Sequence, residues 1–192
     1  CQPVTGQATG VPFIDRALAT LRKTPRTVTS NPEDVKKYMP LKSPFVPTDF
    51  EVPQTFETTQ FRLRMLSVED VEKDYDAVVS SAERLRVSFR QWGGWPREGF
   101  TLQENLQDLK RHQAEFERRE AFAYTVVSLD ETAVLGCIYI YPSQQEEAEA
   151  DVYLWVRDSE YEKDLDGILF QTVQTWLQNK WPFQRVRYPG RE

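Results

Sequence analysis

The sequence predicts an α+β fold with the element order β-α-α-β-β-β-α-β. Residues 150–157 alternate with the two-residue period of a strand: Ala150, Val152, Leu154 and Val156 fall on one face, Asp151, Tyr153, Trp155 and Arg157 on the other. From Asp166 the period lengthens, and Ile168, Leu169, Val173, Trp176 and Leu177 form one helical stripe. Residues 121–129 and 133–142 are two strand-like runs joined by Asp130-Glu131-Thr132, the pattern of an antiparallel hairpin.

The elements follow in chain order. Residues 1–53 hold eight of the twelve prolines, a density that forbids long helices and central strands. Short helices fit residues 13–22 and a start at Asn31-Pro32-Glu33. The rest of this part is expected to lie extended against the body through Tyr38, Leu41, Phe45, Val46 and Phe50. Residues 58–66 alternate and predict the first strand. A helix follows from Ser67 to about Leu85, its inner side drawn from Val71, Tyr75, Val78, Val79 and Ala82. Residues 86–100 form a loop in which Trp92 and Trp95 flank Gly93-Gly94, suited to a pinned core edge or a ligand wall. Thr101 to Glu104 has the form of a capping box and opens a helix to Arg119, with Leu102, Leu106, Leu109, Gln113 and Phe116 inside and His112 on the rim. Gly136 interrupts the second hairpin strand and marks a bulge or a close backbone approach. The last strand spans Gln184 to Tyr188.

Composition narrows the function. The net charge is −6 and uneven: residues 1–50 carry seven Lys/Arg against four Asp/Glu, and residues 51–192 carry seventeen against twenty-six. An acidic body argues against nucleic acid as a partner, although Arg84, Arg86, Arg90 and Arg97 surround the tryptophan loop. Two cysteines, with Cys137 in an apolar run, and a single histidine give neither a disulfide framework nor a metal site. No apolar run approaches the roughly 20 residues of a membrane span. Cys1, followed by QPVTGQATG, reads in two ways. It is either a lipid-modified cysteine on a polar tether, which places the protein outside the cytoplasm, or an incidental start that leaves it cytoplasmic.

The run Ala150-Asp151-Val152-Tyr153-Leu154-Trp155-Val156, with Tyr161 and Gly167 beyond it, resembles the core of the GNAT-type N-acetyltransferases, which often reads A-E-I-G-Y-W-L-x-P-x-Y-R-G-x-G-x-G/A. Residues 74–81 and 181–191 are likewise similar to those of bacterial proteins assigned to that superfamily. The resemblance covers residues 58–192. It implies a three-layer, mixed and mostly antiparallel GNAT-like sheet flanked by helices and ending after its fifth strand, preceded by an extension over residues 1–57. The usual final helix and two further strands have no counterpart, and a homodimer partner or the extension would stand in for them. An open sheet edge also invites pairing.

The resemblance implies acyl transfer from acetyl-CoA to a small-molecule or peptide amine, without a metal. Asp151 would be the base, acting through water, with Glu149 as second choice. Tyr161 or Tyr153 would protonate the leaving thiolate. Backbone amides at Trp155, Val156 and Arg157 would orient the thioester, and the helix start at Leu165, Gly167 and Ile168 would take the pyrophosphate. Trp92, Trp95 and Tyr153 would line the substrate side. The loop departs from the family pattern: Glu162 stands for a basic or amide residue, Leu165 for a glycine, and Glu162, Asp164 and Asp166 oppose an anionic cofactor. A non-catalytic GNAT-fold binding protein, on the surface as a lipoprotein, is the alternative reading.

Overall fold

In the computed structural model, residues 44–191 are described. The short helices expected over residues 13–22 and from Asn31, and the packing expected of Tyr38 and Leu41, lie outside them. One six-stranded sheet runs in sequence order from β1 (Thr55–Glu57) through β2 (Arg62–Met65), β3 (Phe122–Val127), β4 (Val134–Pro142) and β5 (Ala150–Val156) to β6 (Val186–Arg187). Every neighbouring pair is antiparallel except β5 and β6, which are parallel. Helices α1 (Val71–Val79), α2 (Ala82–Ser88) and α3 (Leu102–Glu117) lie between β2 and β3. The single turn α4 (Asp158–Tyr161) and the long α5 (Leu165–Lys180) lie between β5 and β6.

The alternation in β5 sorts its side chains as the pattern requires. Ala150, Val152, Leu154 and Val156 enter one core with Leu165, Leu169, Val173, Trp176 and Leu177 of α5. Tyr153 and Trp155 enter a second core, beside Ala77, Val78, Leu85 and Leu109. Residues 44–57 belong to the first core: Val46 is buried, Phe45 and Phe50 pack on it, and the Tyr124 hydroxyl donates to Pro53 O at 2.6 Å.

Several elements differ from the sequence expectation. The first strand is shorter than the expected 58–66, because Thr58 turns the chain: its N–H donates to Phe61 O at 2.9 Å and its hydroxyl oxygen accepts from Phe61 N–H at 3.0 Å. Residues 58–61 are therefore the turn of the β1–β2 hairpin, β2 is what remains of the expected strand, and β1 precedes it. The single helix over residues 67–85 breaks at Ser80 and Ser81. The inner face of α1 is Asp74, Ala77 and Val78, while Val79 is exposed. The inner face of α3 is Asn105, Leu109, His112 and Phe116, while Leu102 is exposed. Three polar residues, Asp74, Asn105 and His112, thus lie on inner faces, His112 where a rim position is expected. The Thr101–Glu104 capping box is present.

Gly136 is the tightest backbone contact. Val126 pairs with Gly136 and Val127 with Val134, so Leu135 is the extra residue of a bulge. A Cβ on Gly136 would lie 2.0 Å from Trp155 O and 2.9 Å from Val156 Cα, both backbone atoms of β5. We expect Gly136→Ala to destabilise the fold by about 3 kcal/mol through overpacking, read as a lower midpoint in chemical denaturation; an unchanged midpoint would contradict the contact.

Candidate functional site

β6 accompanies β5 for only two residue pairs, Ala150 with Val186 and Asp151 with Arg187, and then leaves it. Glu149 fixes this short union: its carboxylate accepts from Gln184 N–H at 2.5 Å and Arg185 N–H at 3.0 Å. Those two N–H groups hold the Glu149 pKa below the usual carboxylate range. Beyond Asp151 the outer edge of β5 faces a gap. Arg157 N–H donates to Leu135 O at 2.8 Å, so Arg157, Trp155 and Tyr153 turn their backbone groups toward β4. By the two-residue period, Leu154 and Val156 turn theirs into the gap. Their carbonyls are met there by guanidinium groups, Leu154 O by Arg191 at 3.2 Å and Val156 O by Arg84.

These arginines come from distant parts of the chain. Arg84 is placed by the α1–α2 break, because buried Ser81 at the head of α2 accepts from Asp158 N–H at 2.9 Å. Arg84 pairs with Asp158 at 2.6 Å, and its guanidinium lies 4.3 Å from the centre of the Tyr161 ring. Arg191 makes a two-pronged pair with Asp166 at 2.7 and 2.8 Å. Asp166 sits in the first turn of α5, where a carboxylate suits the positive end of the helix. The result is a cleft of about 270 Å³ lined by Arg84, Phe89, Tyr153, Leu154, Tyr161, Asp166 and Arg191, with the N-terminus of α5 at one side.

The sequence candidates divide over this geometry. Tyr161 and Tyr153 line the cleft. Burial, and then the charge of Asp151, raise the Tyr153 pKa, which keeps this hydroxyl protonated at neutral pH. Asp151 lies at the closed end of the gap, accepting from the Ser143 hydroxyl at 3.0 Å with Arg187 at 3.7 Å. Glu149 is a brace for β6, and its two backbone donors disfavour the protonation that a base needs. The backbone of Val156 faces the gap, but those of Trp155 and Arg157 face β4, and Leu154 takes their place. Trp155, whose side chain is buried in the second core, also lines the cleft, and Arg157 pairs with Asp76 at 2.9 Å. Leu165 is a core residue, buried under the sheet, rather than part of a phosphate loop. Gly167 has open space around it and Ile168 is exposed, so the first turn of α5 is accessible. Asp164 precedes it in the left-handed region at φ 62° and makes no side-chain cap.

Trp92, Trp95 and Tyr153 gather on the other side of the second core. Trp92 stacks on Phe89 with ring centres 4.7 Å apart and leans on Tyr153 at 4.6 Å. Beneath them opens a cavity of about 350 Å³ that also touches Asp74, Asn105, His112, Tyr139 and Tyr141. His112, expected on the rim, is buried there against Tyr139 at 4.9 Å. Its Nδ1 lies 3.4 Å from Glu115 Oε2 and its Nε2 3.1 Å from an Arg111 nitrogen, and burial lowers its pKa. None of this polar floor was anticipated; the clue was Asn105 and His112 at the spacing of Leu109 and Phe116.

No protein-family model matches the chain, and no curated protein matches it. Solved structures do. The ribosomal L7/L12 alpha-N-protein acetyltransferase RimL, in complex with coenzyme A, superposes with a TM-score of 0.56 at 16% identity, covering 70% of this chain and 71% of that one. The Salmonella typhimurium acetyl transferase that modifies the N-terminal serine of ribosomal protein L7/L12 gives 0.53 at 15%, covering 67% and 70%. The microcin C7 self-immunity acetyltransferase MccE, in complex with acetyl-CoA and AMP, gives 0.53 at 12%, covering 66% of each chain. These likenesses establish the fold, which is that of the GNAT N-acetyltransferases. The chain spans 66–71% of the length of these three structures.

Two buried carboxylates one helical turn apart meet opposite fates. Burial raises the Asp70 pKa, but Arg64, at 2.6 and 2.8 Å, and Lys73 overcome that and leave it lowered. Asp74 has no cation paired with it among the described residues. Burial raises its pKa to about 6, against the weaker pull of Asn105 Nδ2 at 2.9 Å and the Cys137 thiol at 3.5 Å, while Asp70 and Asp108 push it further up. A carboxyl with a raised folded-state pKa adds stability below its unfolded pKa near 3.8, and that stability is lost as pH rises toward 6. Asp74→Asn removes this loss. We expect the variant to exceed the parent by up to about 3 kcal/mol at pH 7 and to converge with it near pH 4, followed by denaturation at both pH values. A constant difference across that range would contradict it.

Proposed function

We propose that this chain is an acyltransferase that moves an acetyl group from acetyl-CoA to an amine. The observation that carries the reading is the parting of β6 from β5 after Asp151, which leaves Leu154 on a cleft beside the N-terminus of α5, with the Val156 backbone on the same strand edge. The pantetheine arm would lie along that edge. The Val156 and Leu154 N–H groups would orient the thioester carbonyl, and the first turn of α5 with Gly167 and Ile168 would face the pyrophosphate. The fold shared with RimL, solved with coenzyme A, and with MccE, solved with acetyl-CoA, supports the same cofactor.

In the loop Glu162 stands where a basic or amide residue is expected, and the one cation, Lys163, is paired with Glu160 at 2.9 Å. Arg84 and Arg191 supply cationic groups for the phosphates from outside it. Arg84 pairs with Asp158 and Arg191 with Asp166, so the arginines offset part of the repulsion that carboxylates at this end of the cleft would exert. In the reaction the amine nitrogen attacks the thioester carbon and the C–N bond forms. Asp151 accepts the amine proton through a water. The C–S bond then breaks, and Tyr153 or Tyr161 returns a proton to the thiolate sulfur. Small-molecule or peptide amines are both compatible acceptors.

A second reading has one observation in its favour. Arg84 and Arg191 already hold both carbonyls that a pantetheine arm would use, as expected of a GNAT-fold protein whose cleft has closed over and which binds without catalysis. Titration with acetyl-CoA and coenzyme A separates the two. At a hundred times the dissociation constant the thermal midpoint should rise by roughly 5–10 °C, and Arg191→Ala should weaken the affinity about tenfold. No shift with either compound would exclude the acyltransferase reading. Tighter binding by Arg191→Ala would make the arginine a plug rather than a phosphate ligand.

A further inference from the structure

We propose that the cavity between α1, α3 and β4 is a binding site for an organic ammonium ion, a cation that carries N–H donors. Its volume of about 350 Å³ falls in the range of small-molecule sites, roughly 300–1,000 Å³. Its walls are aromatic: Trp92, Trp95, Tyr139 and Tyr141, with Trp92 edge-on to Tyr139 at 6.1 Å and to Tyr141 at 6.4 Å. Ring faces in this number suit a cation held by their quadrupoles. Trp92 is partly exposed, so the site opens to solvent.

The floor specifies the ligand further. Asn105 is buried, and its Oδ1 is an acceptor with no hydrogen-bond partner among the described residues. A buried acceptor left unmatched costs free energy, and a ligand N–H would satisfy it. Next to it Asp74 is buried with an amide and a thiol as its partners and no counter-ion among the described residues. A buried carboxylate without a cation is costly, and an incoming ammonium supplies the missing charge.

Of the cations around the cavity, Arg111 itself lines it, 3.1 Å from His112 Nε2, and is held there by two carboxylates. Arg111 pairs with Glu115 at 3.3 Å and Asp108 at 3.4 Å. Lys73 lies 3.2 Å from Asp70, and Arg97 is paired with Glu104 at 2.5 Å. An anion would meet Asp74 and Asp108, and a neutral apolar ligand would leave both Asn105 Oδ1 and Asp74 unmatched. The site stands whether or not the β5–β6 cleft takes a thioester, because the Phe89–Trp92–Tyr153 stack lies between the two.

The test is a tryptophan-fluorescence and calorimetric titration with three probes that share a benzyl group: benzylamine, benzyl alcohol and benzyltrimethylammonium. Benzylamine should bind saturably and about tenfold or more tighter than benzyl alcohol. Benzyltrimethylammonium, which has no N–H for Asn105, should bind more weakly than benzylamine. Asp74→Asn should bring benzylamine down to the level of the alcohol. Equal binding of alcohol and amine, equal binding of the quaternary ion, or no saturation by benzylamine below about 10 mM would each overturn the proposal. The comparison of probes on the unaltered protein decides it even if Asp74→Asn does not fold.

Discussion

Two backbone N–H groups on the Glu149 carboxylate hold β6 to β5, and the union reaches no further than Asp151. The organisation of the site follows from that limit. Had the two strands stayed paired, the Leu154 and Val156 backbones would be spent on ladder hydrogen bonds and α5 would point its positive end at a closed sheet. Because they part, one strand edge, one helix terminus and two arginines from remote parts of the chain share a single cleft. The antiparallel β4–β5 ladder makes the parting affordable, since β5 is secured along its whole length on the other side. Gly136 permits that ladder by letting two backbones approach where any side chain would collide.

Much of this was legible in the residues. The change of period between Val156 and Asp166 located the strand, the connection and the helix. The hairpin turn at Asp130-Glu131-Thr132 and the close approach at Gly136 followed from turn chemistry and from a glycine set within an apolar run. The two-residue period of β5 also assigned its faces correctly. The same period, applied to the backbone as well as the side chains, singles out Leu154 and Val156 over Trp155 and Arg157.

What escaped reading was what depends on long-range contact. Arg84 and Asp158 are separated by most of the sheet in sequence, and nothing local to either foretells their pairing. Leu165 resembles a loop residue when aligned with a motif, yet an apolar side chain beside a sheet face is drawn into the core. Asn105 drew no attention and His112 was placed on the rim, because polar types at inner positions are normally errors of phase. Here they are inner in fact, joined to Asp74, Cys137 and Tyr139 in a polar island inside the second core. The contrast between Asp70 and Asp74 shows how little the local sequence decides. The two carboxylates lie one turn apart and are both buried, but only one finds an arginine.

The guanidinium groups over Leu154 and Val156 have a further effect on the life of the molecule in crowded solution. A bare run of strand carbonyls is a template on which a foreign backbone can zip, and a parted sheet exposes such a run by construction. With a charged, planar group seated on each carbonyl, an extended segment from another chain meets competition at both positions. A ligand with phosphates to offer the arginines would have a reward that a stray peptide lacks. The same two side chains thereby act as sentries for solubility.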